Sequence, residues 1–102
     1  MIDNFNLKEL AALTDNNKKL ESELLALFKE ELDELLVEIS ANEIDFKSMQ
    51  SKIHKAKTKF SLLGMHYTRG LADKLESKID QKTLRKFIQV VKEIKEKIES
   101  YE

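Results

Sequence analysis

The chain has no cysteine, no proline and only two glycines among its 102 residues. The missing cysteine excludes disulfides, thiolate metal sites and a thiol nucleophile, and it fits a reducing compartment. Proline and glycine are the strongest interrupters of helices, so their scarcity favours long helices. Good helix formers dominate the rest, namely Leu, Lys, Glu and Ala. The composition therefore predicts an all-α protein.

Long apolar runs and a strong excess of one charge are also missing. No stretch approaches the roughly 18 apolar residues of a membrane span, and the start MIDNFNLKEL lacks the basic and apolar regions of a signal peptide. The net charge of −1 does not suggest bulk nucleic-acid binding. We therefore expect a cytoplasmic monomer that binds neither membranes nor nucleic acid. Its length predicts a single helical domain over residues 1–102.

Apolar residues recur at spacings of three and four in one short and four longer segments, which is the helical period. The short segment, NLKELAAL, is followed by the capping residues Thr14, Asp15 and Asn16. The second segment has an acidic outer face, and SANEID ends it, with Asn42 or Asp45 as the cap of the next helix. Its predicted apolar stripe consists of Leu20, Leu24, Leu27, Phe28, Leu32, Leu35, Leu36 and Ile39.

Three more helices follow in the pattern. The third has its stripe at Phe46, Met49, Ile53, Ala56, Phe60 and Leu63. Gly64 is its predicted C-terminal cap. The fourth runs through Leu71, Ala72, Leu75 and Ile79, with Gly70 as a weak point, and Asp80 caps a last helix that runs from Leu84 to Tyr101. Short loops make neighbouring helices antiparallel, so we expect an up-down-up-down four-helix bundle with the short first helix capping one end.

The third predicted helix, residues 46–63, differs from the second in charge. It carries five lysines and no acidic residue after Asp45, whereas the second is acidic. One interpretation is that the basic surface holds an anion near His54. The other is that the acidic and basic helices pair with each other, and the charges alone slightly favour it.

His54 lies within the segment IHKAKTKFSLLG, directly after the stripe residue Ile53, so we expect it at the rim of the buried stripe. The residues on its helical face are Gln50, Lys57, Thr58 and Ser61. A partly exposed neutral imidazole can accept a phosphoryl group, and Lys57 can hold the charge that this group brings. From the residues alone, a surface histidine without a function is the better interpretation, and we read His66 in that way.

Other histidine chemistries fit the sequence less well. A di-metal bundle needs Glu-x-x-His pairs, and a zincin needs His-Glu-x-x-His; neither pattern is present. No nucleophile elbow accompanies Ser61, and no glycine loop could cradle a nucleotide phosphate. We therefore expect no metal, no cofactor and no enzymatic activity, and any phosphoryl group must come from another protein.

The segment around His54 resembles the motif of histidine-containing phosphotransfer (HPt) domains of bacterial two-component phosphorelays. The family reads His-x-x-Lys-Gly with a second glycine ten positions after the histidine, and HKAKTKFSLLG supplies His54, Lys57 and Gly64 at these spacings. LLALFKEELDELLVEI and LADKLE resemble the flanking helices, so the resemblance covers roughly residues 16–100. Thr58 departs from the motif, because it replaces the glycine after the lysine, and so does Lys59, where a small residue is usual.

The resemblance implies a role for each matching residue. His54 is the phosphoacceptor, Lys57 steadies the phosphate, Gly64 ends the helix, and Glu76 matches a polar residue that lies near the histidine. The implied partners are response-regulator receiver domains, including those of hybrid histidine kinases, which supply the Mg²⁺ and dock on the second and third helices. Thr58 either crowds that partner or bonds the phosphate.

Two alternatives remain open at this stage. One is a helical adaptor, or a degenerate HPt domain, that binds a partner without transferring phosphate. The other, an enzyme, is disfavoured because no base, nucleophile and oxyanion donors can be assembled. The initial Met1 and the ending without a linker favour a free-standing protein.

Overall fold

All regular structure in the computed structural model is helical, over the residues that it describes, 5–40 and 45–101. The five helices are α1 (Lys8–Leu13), α2 (Lys18–Ser40), α3 (Phe46–Leu62), α4 (His66–Ser77) and α5 (Gln81–Tyr101). The predicted all-α class is confirmed. Within these two ranges, no helix combines the length and the apolar character that crossing a bilayer would require.

Helices α3 and α5 each begin at an aspartate that caps them. The Asp45 carboxylate accepts a hydrogen bond from the Ser48 backbone N–H at 3.1 Å, and the Asp80 carboxylate accepts one from the Thr83 N–H at 3.0 Å. Such caps satisfy N–H groups that lack a partner in the first helical turn. Both predicted caps are confirmed, while the other candidate for α3, Asn42, lies outside the described residues.

A glycine in the left-handed region ends α3, as the sequence predicted. Gly64 has a φ of 74°, and its N–H donates to the Ser61 carbonyl at 3.1 Å. The Met65 N–H donates to the Phe60 carbonyl at 2.8 Å. These two bonds form a Schellman motif, which turns the chain sharply into α4.

The core receives side chains from all five helices. Leu10 of α1 is fully buried together with Ile53, Phe60 and Phe87 of the longer helices. The rings of Phe60 and Phe87 meet edge to face, with centroids 5.8 Å apart. This is a favoured aromatic arrangement, and the two rings bridge α3 and α5 across the core.

The apolar stripe of α2 is narrower than its sequence suggested. Leu20 and Leu27 are 41% and 46% exposed, because Glu21 and Phe28, one position on, point into the core instead. Phe46 of α3 and Tyr101 of α5 are exposed as well, at the ends of their helices. The predicted stripes placed Leu20, Leu27 and Phe46 in the core, and this prediction was wrong, because spacing alone does not give the width that neighbouring helices cover.

The fourth helix is shorter than predicted. It ends at Ser77, and Lys78 is extended with a φ of −158°. Ile79 therefore lies in the connection to α5, although it still packs partly against the core. The cap formed by Asp80 begins the next helix immediately afterwards, which leaves no room for another turn of α4.

Ion pairs join the acidic helix α2 to the basic helix α3. Lys59 lies 2.6 Å from Glu31, and Lys52 lies 3.0 Å from Glu38. The interpretation that the two helices pair in charge is therefore confirmed for these lysines. Lys57 is different, because it faces α4.

Helix α1 packs against α2 and α3. The Asn6 N–H before it donates to the Leu63 carbonyl at the end of α3, at 2.9 Å.

Candidate functional site

His54 lies near the middle of α3, on the side that faces α4. Its side chain is 70% exposed, so the ring is at the rim of the core, as its position after Ile53 predicted. The Nδ1 atom contacts Oε1 of Glu76, which lies in the last turn of α4. One edge of the ring is therefore held by the neighbouring helix, while most of the ring faces solvent.

Lys57 lies one turn after His54 and reaches the same carboxylate. Its Nζ is 2.6 Å from Oε2 of Glu76 and 2.7 Å from Oδ1 of Asp73. His54 and Lys57 thus bind the two oxygens of one carboxylate, which places the ammonium group beside the imidazole. We call the four side chains, His54, Lys57, Asp73 and Glu76, the α3–α4 polar cluster.

The charges in this cluster stabilise one another. The hydrogen bonds that Lys57 donates to Asp73 and, with a smaller effect, to Glu76 raise the pKa of Lys57 above its usual value. The same bonds from Lys57 lower the pKa of Asp73 and that of Glu76, to which His54 adds a smaller effect. At neutral pH, the cluster therefore contains two carboxylates and one ammonium ion.

An ionised Glu76 determines which nitrogen of His54 carries the proton. A carboxylate can only accept hydrogen bonds, so Nδ1 must be the protonated donor in its contact with Glu76. The lone pair of a neutral ring then resides on Nε2. Nε2 is then the ring nitrogen that does not contact Glu76.

Gln50 has a structural role in positioning Glu76. Its side-chain N–H group donates to the carbonyl oxygens of Leu75 and Glu76, at 3.3 and 3.0 Å. Both carbonyls belong to the last turn of α4, where they have no partner within the helix. Gln50 therefore caps the end of α4 from α3, one turn before His54.

The other predicted site residues lie at different distances from the cluster. Thr58 is exposed on the face of α3 that carries His54. Ser61 accepts a hydrogen bond from Nη1 of Arg69, one helical turn beyond Lys57. Gly64 is buried at the end of α3, where it shapes the turn and is separate from the cluster.

Asp73 and Arg69 also lie on the surface around the α3–α4 polar cluster, although no sequence motif marks them. Asp73 precedes Glu76 by three residues, so both share one face of α4. Arg69 precedes Asp73 by four and lies on that face too. Their spacing from Glu76 in the sequence was the signal that could have identified them.

The cluster has an internal cation instead of a metal site. Across residues 5–40 and 45–101, no group of three or more histidine, aspartate or glutamate side chains could hold a metal ion. The Lys57 ammonium is the cation that Asp73 and Glu76 share.

No protein-family model, no curated protein and no solved structure matches the chain. The function is therefore inferred from the geometry of the cluster and from the motif around His54.

Proposed function

We propose that the protein is a phosphorelay intermediate that accepts a phosphoryl group on His54 from a receiver-domain aspartate and passes it to another receiver. The observation that carries the proposal is the contact between Nδ1 of an exposed His54 and the ionised Glu76. In a neutral ring, this contact leaves the lone pair on Nε2, the nitrogen that does not contact Glu76, as a phosphoacceptor requires.

The transfer exchanges one bond to phosphorus for another. The Nε2 lone pair attacks the phosphorus of the aspartyl phosphate, an N–P bond forms, and the O–P bond breaks as the aspartate carboxylate leaves with its electron pair. The Nδ1 proton stays on the ring, which becomes cationic, and Glu76 offsets this charge. Return of the group to a second receiver reverses these steps.

Lys57 can hold the phosphoryl group without leaving its partners. An ammonium group has three N–H donors, and Asp73 and Glu76 take two of them. The third can donate to a phosphoryl oxygen on the adjacent imidazole. Stabilising charge in this way is the main contribution that a protein makes to phosphoryl transfer.

The helix contacts support the predicted up-down-up-down four-helix bundle. Helix α3 packs between α2 and α4, and α5 packs between α4 and α2. The paired side chains fit antiparallel neighbours, because residue numbers rise along one helix as they fall along the other. Residues 31 and 38 of α2 pair with residues 59 and 52 of α3. Residues 73 and 76 of α4 pair with residues 57 and 54 of α3. His54 and Lys57, which match the HPt motif, would then lie on the outer surface of the α3–α4 pair.

The receiver is proposed to dock over α3 and α4 instead of α2 and α3. His54 contacts Glu76 of α4, and Arg69 of the same helix donates a hydrogen bond to Ser61 of α3. Lys47 and Lys55 are exposed on α3 and can attract the acidic pocket of a receiver, which brings its own Mg²⁺. A cytoplasmic monomer without enzymatic activity of its own fits this role.

Phosphotransfer to the purified chain tests the proposal. A panel of receiver domains, phosphorylated with a small phosphodonor, is mixed with the chain, and the label is followed over time. We expect at least one receiver to lose its phosphate while the chain gains a label that is labile to acid and stable to base. If every receiver keeps its phosphate, or if the label has the opposite stability, the proposal fails.

An adaptor without phosphate chemistry is a second candidate, because α2 carries apolar residues that the core leaves exposed. Leu20 and Leu27 lie seven residues apart on one side of this helix. An adaptor would bind its partner through such a surface and would not need the imidazole. It predicts a complex whose affinity falls in Leu27→Ser but not in His54→Gln, with no label on the chain.

A further inference from the structure

Glu21 is a charged residue in a core position. It lies in line with Leu25 and Phe28 on α2, and only 6% of it is exposed. Its Oε2 atom has no hydrogen-bond partner in the described parts of the chain. Among the described residues, the nearest cation is Nζ of Lys18 at 3.7 Å, and the Lys18 side chain is 81% exposed.

The surroundings of Glu21 explain only in part why its carboxylate is buried. The carboxylate lies in the first turn of α2, where the helix dipole favours a negative charge. The dipole supplies no hydrogen-bond donor to Oε2, however, and Lys18 is beyond hydrogen-bond distance. A buried carboxylate without a donor is costly, so the site favours a cation that can provide one.

An open groove of about 540 Å³ adjoins this carboxylate. Such a volume lies within the range of roughly 300–1,000 Å³ that small-molecule sites have. Its apolar walls are Leu7, Ala11, Leu25 and Tyr101, and Lys8 and Lys18 also line it. None of these residues belongs to the α3–α4 polar cluster.

Tyr101 adds an aromatic surface to the groove. Its side chain is exposed, and Phe5 packs against its ring with the centroids 5.7 Å apart. An aromatic ring offers a large apolar surface against which an alkyl chain can pack. The groove therefore combines a buried negative charge, apolar walls and an aromatic ring.

We propose that this groove binds a small primary alkylammonium ion. The ammonium group donates hydrogen bonds to Glu21, and the alkyl chain lies against Leu25 and the ring of Tyr101. Lys18 is the competing cation and moves outward when the ligand enters. The apolar walls select an alkyl chain, so ammonium ion itself binds more weakly.

Titration with hexylammonium tests this inference on the full chain. The backbone amides of Glu21, Leu25 and Tyr101 are followed by ¹⁵N-correlated NMR, with hexan-1-ol and ammonium chloride as matched probes. We expect saturable shifts at these three residues and none around His54. A hydrogen-bonded charge makes the Kd for hexylammonium at least about tenfold lower than that for hexan-1-ol.

Three variants test whether Glu21 is responsible for the tighter binding of the amine than of the alcohol. Glu21→Gln should lose the tenfold difference between amine and alcohol, whereas the exposed neighbour Glu23→Gln should keep it. Lys18→Ala should tighten amine binding, and a weakening would overturn the role of Lys18 as a competitor. Equal affinity of the wild-type chain for both probes, or no saturable shift, overturns the proposal even if Glu21→Gln does not fold.

Discussion

His54 and Glu76 are 22 residues apart in the chain, and their side chains meet across the interface between α3 and α4. The contact joins Nδ1 of the imidazole to one carboxylate oxygen, while the other oxygen binds Lys57 at 2.6 Å. A single carboxylate thus orients the proposed phosphoacceptor and holds the cation next to it. The proposed chemistry depends on this shared group.

Acid should destabilise the protein through the α3–α4 polar cluster. The pKa values of Asp73 and Glu76 are lowered in the folded state, so the unfolded chain binds more protons at mildly acidic pH. Their stabilisation is complete above the usual carboxyl range, about pH 4, and it is lost as the pH falls through the lowered values. Urea unfolding across this range should show the loss.

The variant Glu76→Gln isolates one carboxylate in that experiment. The glutamine side chain does not titrate in this pH range. The free energy of unfolding of the variant should therefore fall less steeply with decreasing pH than that of the wild type. An unchanged pH dependence would mean that Glu76 is not held ionised by Lys57.

Lys57→Ala should slow phosphotransfer without abolishing it. The lost charge-assisted hydrogen bond to the phosphoryl group corresponds to a decrease of roughly tenfold in the transfer rate. Lys86→Ala is the matched control, because Lys86 is exposed on α5 and lies outside both the cluster and the proposed docking face. Equal rates for the two variants, measured with one phosphorylated receiver, would remove Lys57 from the site.

Gln50→Ala should destabilise the fold by about 1–2 kcal/mol, because two carbonyls at the end of α4 lose their donor. Gln89→Ala is the control; this glutamine is exposed on α5, and its loss should change stability by less than about 0.5 kcal/mol. Chemical denaturation measures both. A Gln50 variant as stable as the Gln89 variant would show that the cap of α4 is dispensable.

The two glycines should respond to alanine with opposite signs. Gly64→Ala places a side chain at a φ of 74° and should cost about 1–2 kcal/mol. Gly70 lies within α4, and nothing lies within 4 Å of an added Cβ. Gly70→Ala should therefore raise the free energy of unfolding by about 0.5–1 kcal/mol. Thermal melts that shift in the same direction would contradict these assignments.

Local signals were sufficient to predict three helix boundaries and most of the core of α3. Asp45, Asp80 and Gly64 act through neighbours within five residues, so their roles follow from residue type and spacing alone. Ile53 and Phe60 are fully buried, as the spacing of three and four required.

The sequence was less informative where burial or bonding depends on another helix. Leu20 and Leu27 are exposed because the neighbouring helices do not cover their side of α2. The partners of Gln50 and Lys57 lie 16 to 26 residues away, so they follow only from the packing of α4 on α3. The family resemblance pointed to Glu76, but Asp73 was missed because no motif includes it.

Site-mapped labelling by a phosphorylated receiver tests the central claim most directly. The wild type, His54→Gln and His66→Gln are compared, since His66 is the other histidine and is exposed at the start of α4. The account predicts phosphate on His54 in the wild type and in His66→Gln, and no label in a folded His54→Gln. Labelling of His54→Gln at the wild-type rate would contradict it.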